Sequence, residues 1–210
     1  MKRQFLYFFS LVLSACSTFS FVGDIFVKNS NGGKVSETKL VAKGNYLMQV
    51  LPEGQGAFIL DSQENTMTIL MGNSKKYIVQ ELEQGGSDFK FTGNIKLLDG
   101  KEELLGLPTR KFLLTEESGN HSIVWATAAV KNDALASLPG LTTSMTEQFE
   151  EVFGTDQVLA LRIESFNRSD DLIMKMEVVE IVERQVEDVE FLPPEGYEEM
   201  VIPRPPLAED

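Results

Sequence analysis

Side chains able to do chemistry are few in this chain. There is one cysteine, Cys16, and one histidine, His121, among 210 residues. Sites built from several histidines are therefore excluded, and a cysteine nucleophile would have to use His121 as its base. Cys16, however, closes the apolar run Phe5 to Ala15, where it is either tethered or removed, and neither state leaves it free to attack. A serine triad through His121 survives the counting, but no G-x-S-x-G occurs. His121 also abuts the tight turn Ser118-Gly119-Asn120, the setting of an exposed strand-end histidine. Neighbouring acids stand at Glu150-Glu151, Asp170-Asp171 and Glu187-Asp188, none in a D-x-[DN]-x-[DN]-G calcium loop. Adjacent residues on a strand point to opposite faces, although carboxylates from different strands could still meet as a glycosidase pair. Gly32-Gly33 and Gly85-Gly86 match neither phosphate-binding pattern. The expectation is a protein that is not an enzyme, with no catalytic residue, no metal and no cofactor.

The elements that carry these residues begin with a leader. Lys2 and Arg3 precede the apolar run, which has the length of a secretory h-region and is too short to cross a bilayer as a helix. Residues 1–15 thus read as a signal peptide and 16–20 as a short tether. Leu13-Ser14-Ala15-Cys16 has the form of a bacterial lipobox, in which Cys16 is the lipid attachment site and holds the protein to a membrane. Ordinary signal-peptidase cleavage nearby, with Cys16 discarded, stays open beside it. One cysteine makes no internal disulfide, so burial must hold the fold.

Loss of residues 1–15 removes Lys2 and Arg3, leaving 17 basic against 32 acidic residues, a net charge of −15. Such a surface repels nucleic-acid phosphates and anionic headgroups, and nucleic acid is excluded as a partner. The acids concentrate in the second half, with 19 acidic and 6 basic residues from Lys131 to Asp210. They read as solvated faces that aid solubility or, alternatively, as a surface for a protein partner that the sequence does not identify.

From Phe21 the chain reads as short strands between turn residues, one domain over 21–202 with a disordered tail at 203–210. Strands are expected at 21–28, 35–42, 46–51, 57–60, 66–71, 75–82, 89–97, 108–115, 122–127, 157–166 and 172–183, with a loop over 84–88. Asn31-Gly32-Gly33 suits a hairpin turn. Ala57-Phe58-Ile59-Leu60 is apolar on both faces, the mark of a strand covered on both sides. Thr66 to Met71 alternates hydroxyl-bearing and bulky apolar residues with period two. Val178-Val179 breaks the alternation of the last long strand and predicts a bulge. One helix interrupts this pattern: Ser144 to Glu147 has capping-box spacing, Met145, Phe149, Val152 and Phe153 form its apolar stripe, and Gly154 stands at its end. The fold class is mainly β (α+β), about ten antiparallel strands folded around one helix.

Four segments in order resemble a known family. They are ILDSQENTMTILMGNSKKYIVQEL (59–82), GKEELLGLPTRKFLLT (100–115), HSIVWATAAV (121–130) and FLPPEGYEEM (191–200). Together they resemble the bacterial exported family known as domain of unknown function 4412, similar in outline to the outer-membrane lipoprotein carrier and its receptor. The resemblance implies a strongly curved antiparallel sheet or incomplete barrel with the helix on its concave apolar face. It also implies a place in the periplasm or outer membrane of a Gram-negative bacterium. It transfers no active residue, and Thr109 stands where relatives can carry a cysteine. The function expected is binding of a lipid or other apolar ligand in a groove formed by Phe58, Leu60, Met67, Ile69, Met71 and Trp125. Soft methionine and aromatic side chains suit an adaptable apolar pocket. Trp125 reads equally as core packing, and the rival function is an interaction module with a filled core.

Overall fold

A computed structural model describes residues 20–82, 93–136 and 145–201. The expected leader with Cys16, the expected 84–88 loop, the expected helix cap Ser144 and the expected 203–210 tail lie outside the described residues. The chain folds as a curved, unclosed sheet of twelve strands. In chain order these are β1 (Gly23–Asn31), β2 (Lys34–Lys43), β3 (Tyr46–Val50), β4 (Gly56–Asp61), β5 (Thr66–Met71), β6 (Lys76–Glu81), β7 (Gly93–Leu104), β8 (Leu107–Glu116), β9 (His121–Thr127), β10 (Leu159–Phe166), β11 (Leu172–Glu183) and β12 (Glu198–Glu199). Among the described residues two α-helices interrupt them, α1 (Asp133–Ala136) and α2 (Thr146–Phe153).

The order across the sheet is β12-β6-β5-β4-β3-β2-β1-β11-β10-β9-β8-β7. Two antiparallel meanders, β1 to β6 and β7 to β11, therefore join where β1 pairs with β11. Short connections keep the first meander local, whereas β9 and β10 of the second are joined across residues 128–158, which include both helices. Gly32-Gly33 links β1 to β2, as Asn-Gly-Gly predicts. The bulge expected at Val178-Val179 is present, since Phe26 pairs with Glu180 while Val27 pairs with Val178, leaving Val179 unpaired.

The inner face carries the helices. Residues Ile25, Ala42, Leu47, Leu60 and Leu161 form a buried cluster there with Ala134 and Leu135 of α1. Asn132 caps that short helix, its side-chain oxygen accepting from the amides of Ala134 and Leu135. Alongside, Phe149 of α2 packs into a second cluster with Phe112, Val124 and Ile163, and Met145 joins it. The α2 stripe is thus a face packed on the sheet. Met145, not the expected Ser144, occupies the N-cap position and makes no side-chain cap, and Gly154 ends the helix in a left-handed conformation.

The outer face of the first meander is covered by a C-terminal strap, residues 184–201, that no sequence pattern announced. Val186 and Phe191 bury themselves against Val41, Ile59 and Leu70, and the Phe191 ring stacks on Tyr46 at 5.1 Å. Glu198 and Glu199 then pair parallel to β6. This strap completes the two-sided burial of β4, with Ala57 and Ile59 outward and Leu60 inward.

Candidate ligand-binding site

Five of the six residues expected to line a groove are brought together. Phe58 faces Ile69 and Leu60 faces Met67 across β4 and β5, and Met71 follows Ile69 by two, so all five share the inner face. Leu60 is buried in the cluster with α1, and the other four are half-buried.

Trp125 is not with them. Its cross-strand partners are Lys111 and Arg162, whereas the partners of Val124 are Phe112 and Ile163 of the inner core. Alternation therefore sends the indole to the outer face. It is only 6% exposed there, because Lys111 Nζ lies 4.8 Å and Arg162 Cζ 5.4 Å from its ring centroid. Its Nε1 donates to Glu102 Oε2 at 2.8 Å, and Lys111 bridges to the other Glu102 oxygen at 2.7 Å. Hydrogen bonds from Lys111 and then Trp125 hold the Glu102 carboxyl below its ordinary range. Arg162 in turn pairs with Glu177. The indole is thus a buried post beneath a charged lattice, with none of its surface offered to an inner groove.

His121 sits at the start of β9, its ring stacked on Phe166 at 5.0 Å and its Nε2 3.8 Å from Asp170 Oδ1. Glu150 and Glu151 lie on α2, Asp171 in the β10–β11 turn, and Glu187 and Asp188 at the start of the strap. Among the described residues no three His, Cys, Asp or Glu side chains converge on one point. Thr109, at the cysteine-tolerant position, is buried and donates to the carbonyl of Glu102 at 2.9 Å.

A concavity that the fold builds elsewhere has a different lining. An open cavity of about 880 Å³ lies where β1 enters and β11 ends. Its apolar walls are Phe21, Val22, Leu105, Leu107, Val130 and Ile181, and its polar ones include Ser20, Lys131 and Arg184. The volume falls in the range of small-molecule sites, about 300–1,000 Å³. Four segments far apart in the chain meet here: the entry at 20–22, the β7–β8 tip, the loop at 129–131 and the end of β11. Phe21 is fixed by its amide, which donates to the carbonyl of Lys131, and by its own carbonyl, which accepts from Asn132 Nδ2 at 3.2 Å. Leu107 packs against the same inner cluster that contains Leu60, so cavity and expected groove share a core without sharing a lining. The one local signal for this site was the apolar tip Leu104-Leu105-Gly106-Leu107, where turn residues are ordinarily polar.

Arg184 on the cavity wall is held by three acceptors' worth of ion pairing. Its guanidinium bonds both Glu190 oxygens, at 2.9 and 2.7 Å, and lies 2.9 Å from Asp24 Oδ1. The Arg184 hydrogen bonds, reinforced by the Glu187 amide, pull the Glu190 carboxyl down to about 2. An unfolded glutamate titrates near 4.3, so this pairing stabilises the fold above that pH and is lost as pH falls toward 2. The expected result is that Glu190→Gln lowers Tm at pH 7 but nearly converges with the wild type at pH 2. A constant gap across thermal melts from pH 7 to 2 would count against it.

A family model described as Domain of unknown function (DUF4412) matches residues 43–197. No curated protein matches the chain. Among solved structures, an uncharacterized conserved protein from Thermus thermophilus aligns at 9% identity over 87% of this chain and 91% of that one, with a TM-score of 0.54. PNGF-II aligns at 12% identity and a TM-score of 0.50 over 86% of this chain, which spans only 31% of PNGF-II. A LolA superfamily protein from Nitrosomonas europaea aligns at 11% identity over 82% of this chain and 90% of that one, but its TM-score of 0.31 adds nothing to the fold assignment. At these identities the likeness is one of fold.

Proposed function

The chain belongs to the DUF4412 family, matched over residues 43–197, and from that premise we propose that it is a non-enzymatic binding domain of the bacterial cell envelope that holds a lipid or other apolar ligand. The observation that carries this is the open cavity of about 880 Å³ between the β7–β8 tip and the end of β11, whose lining is mixed, with Phe21, Leu107, Val130 and Ile181 beside Lys131, Glu180, Glu183 and Arg184. Ser20 lines the mouth four residues after Cys16. An acylated Cys16 would therefore hold the mouth within about 14 Å of a membrane surface, the reach of four extended residues. Labelling with radioactive fatty acid tests that anchor, and absence of label removes it.

Two measurements test the binding role. Native mass spectrometry of protein purified from its own host is expected to show a bound apolar molecule, and a clean apo mass would sink the proposal. Ala129 is exposed and lines the cavity, so Ala129→Trp fills the space from the rim without disturbing the core. That variant is expected to melt like the wild type and to lose about tenfold in affinity for palmitate, about 1.4 kcal/mol. Equal titration curves for the two proteins would place the ligand elsewhere.

A second role, docking of a protein partner, is favoured by the strap. Val189, Leu192 and Val201 are exposed there among Glu187, Asp188, Glu195, Glu198 and Glu199. Photo-crosslinking from position 192 in the host would trap such a partner. A crosslink that persists unchanged with Val189→Asp and Val201→Asp would show contact without recognition.

A further inference from the structure

The turn at the cavity mouth is built from an unusual pair. Leu104 and Leu107 face each other across β7 and β8, so only Leu105 and Gly106 reverse the chain. Both have positive φ, 55° and 74°, as a two-residue type I′ hairpin turn requires. Its first position ordinarily holds asparagine, aspartate or glycine, because a bulky side chain in the left-handed region crowds the following carbonyl. The other described non-glycine residues with positive φ are Glu53, Asn65, Lys75 and Asp170, all polar. Leu105 is the apolar exception among the described residues, and its side chain is 48% exposed. Neither burial nor a hydrogen bond offsets the strain in the structure as it stands. What the side chain does is line the cavity, together with Leu107.

Strain held at an exposed apolar residue points to a partner that covers it. The cavity supplies the partner's chemistry. Its apolar lining of Phe21, Leu107, Val130 and Ile181 suits a hydrocarbon chain. The polar lining carries both signs, Lys131 and Arg184 against Glu180 and Glu183, so it can solvate a polar head without selecting its charge. We propose that Leu105 is a ligand-contact residue, presented by the strained tip so that it buries itself on the hydrocarbon chain of a single-chain amphiphile seated in the cavity. This rests on the cavity being a binding site, as set out above.

The test pairs stability with binding in the full chain. Leu105→Asn places a residue suited to the turn while removing the apolar contact. It is expected to raise Tm by about 2–6 °C and to weaken palmitate binding by calorimetry about tenfold. Leu105→Met, which keeps apolar surface, is expected to bind within about twofold of the wild type. A raised Tm with unchanged palmitate affinity in Leu105→Asn overturns the contact role and leaves the cavity proposal standing. An unchanged or lowered Tm overturns the strain argument. Absence of palmitate uptake by the wild type overturns this inference, whereas the cavity proposal falls only if the host-purified protein is also free of ligand.

Discussion

Phe112→Ala is expected to destabilise the protein by about 3–5 kcal/mol, the cost of truncating a fully buried aromatic residue. Phe112 is 1% exposed. It sits mid-strand on β8, opposite Leu97 of β7 and Val124 of β9, so its backbone has nowhere to move to close the gap. Its ring meets Phe149 edge-on at 5.4 Å and lies 6.1 Å from Phe153, both on α2. An eight-residue helix does not hold itself together in water and depends on this packing. The variant should therefore lose α2 before the sheet, with a Tm about 10 °C lower and early hydrogen exchange at the amides of 149–153. Phe112→Leu keeps most of the volume and should cost less than half as much. A melt within 2 °C of the wild type for Phe112→Ala would mean that α2 is not anchored where the rings place it.

Gly56→Ala is expected to be nearly as damaging although it removes nothing. Gly56 has φ 137°, and a methyl group there would stand 1.8 Å from the carbonyl oxygen of Leu70 and 2.7 Å from its carbon. Both obstacles are backbone of β5, held by the pairing of Gly56 with Met71 and by the Leu51 amide bonding to the Gly56 carbonyl at 3.0 Å. Two costs combine: a conformation closed to other residues, roughly 1–3 kcal/mol, and a main-chain clash of about the same size. Gly54 separates them, since its φ is 70° while its methyl position is empty. Gly54→Ala should cost about 1 kcal/mol, the penalty of a left-handed conformation for a residue with a Cβ, and Gly56→Ala about three times that in denaturant melts. Equal losses would show that the close approach of β4 and β5 is slack.

The strands were legible because burial on one face writes period two into a chain. Thr66 to Met71 begins and ends where its alternation does, between Asn65 and Gly72. The broken alternation at Val178-Val179 likewise marked the residue that loses its partner. β7 ran further than expected, to Leu104 rather than Leu97, because Asp99-Gly100-Lys101 looks like a turn while its hairpin partner continues past an irregularity. Four-residue α1 and two-residue β12 are too short to show any period. The grouping of Phe58, Leu60, Met67, Ile69 and Met71 on one face was legible for the same reason as the strands. Trp125 was not, because every residue from Val124 to Thr127 is buried and alternation says which residues share a face without saying which face it is. The cavity itself is assembled from four separate segments that span residues 20 to 184, and its location follows from the β1–β11 pairing, which no local pattern encodes.

That pairing also orders events in time. The first meander is made of neighbours in sequence and pays little loop entropy to form, but the two meanders are joined by strands, β1 and β11, that lie near opposite ends of the sheet-forming chain. The first six strands therefore emerge long before the strand that must lie beside β1, and β1 waits with a bare edge of unpaired amides. Of the strand pairings in the sheet, β1 with β11 closes the longest stretch of chain and carries the largest loop entropy. Until β11 arrives, that edge is the part of the first meander open to pairing with another chain.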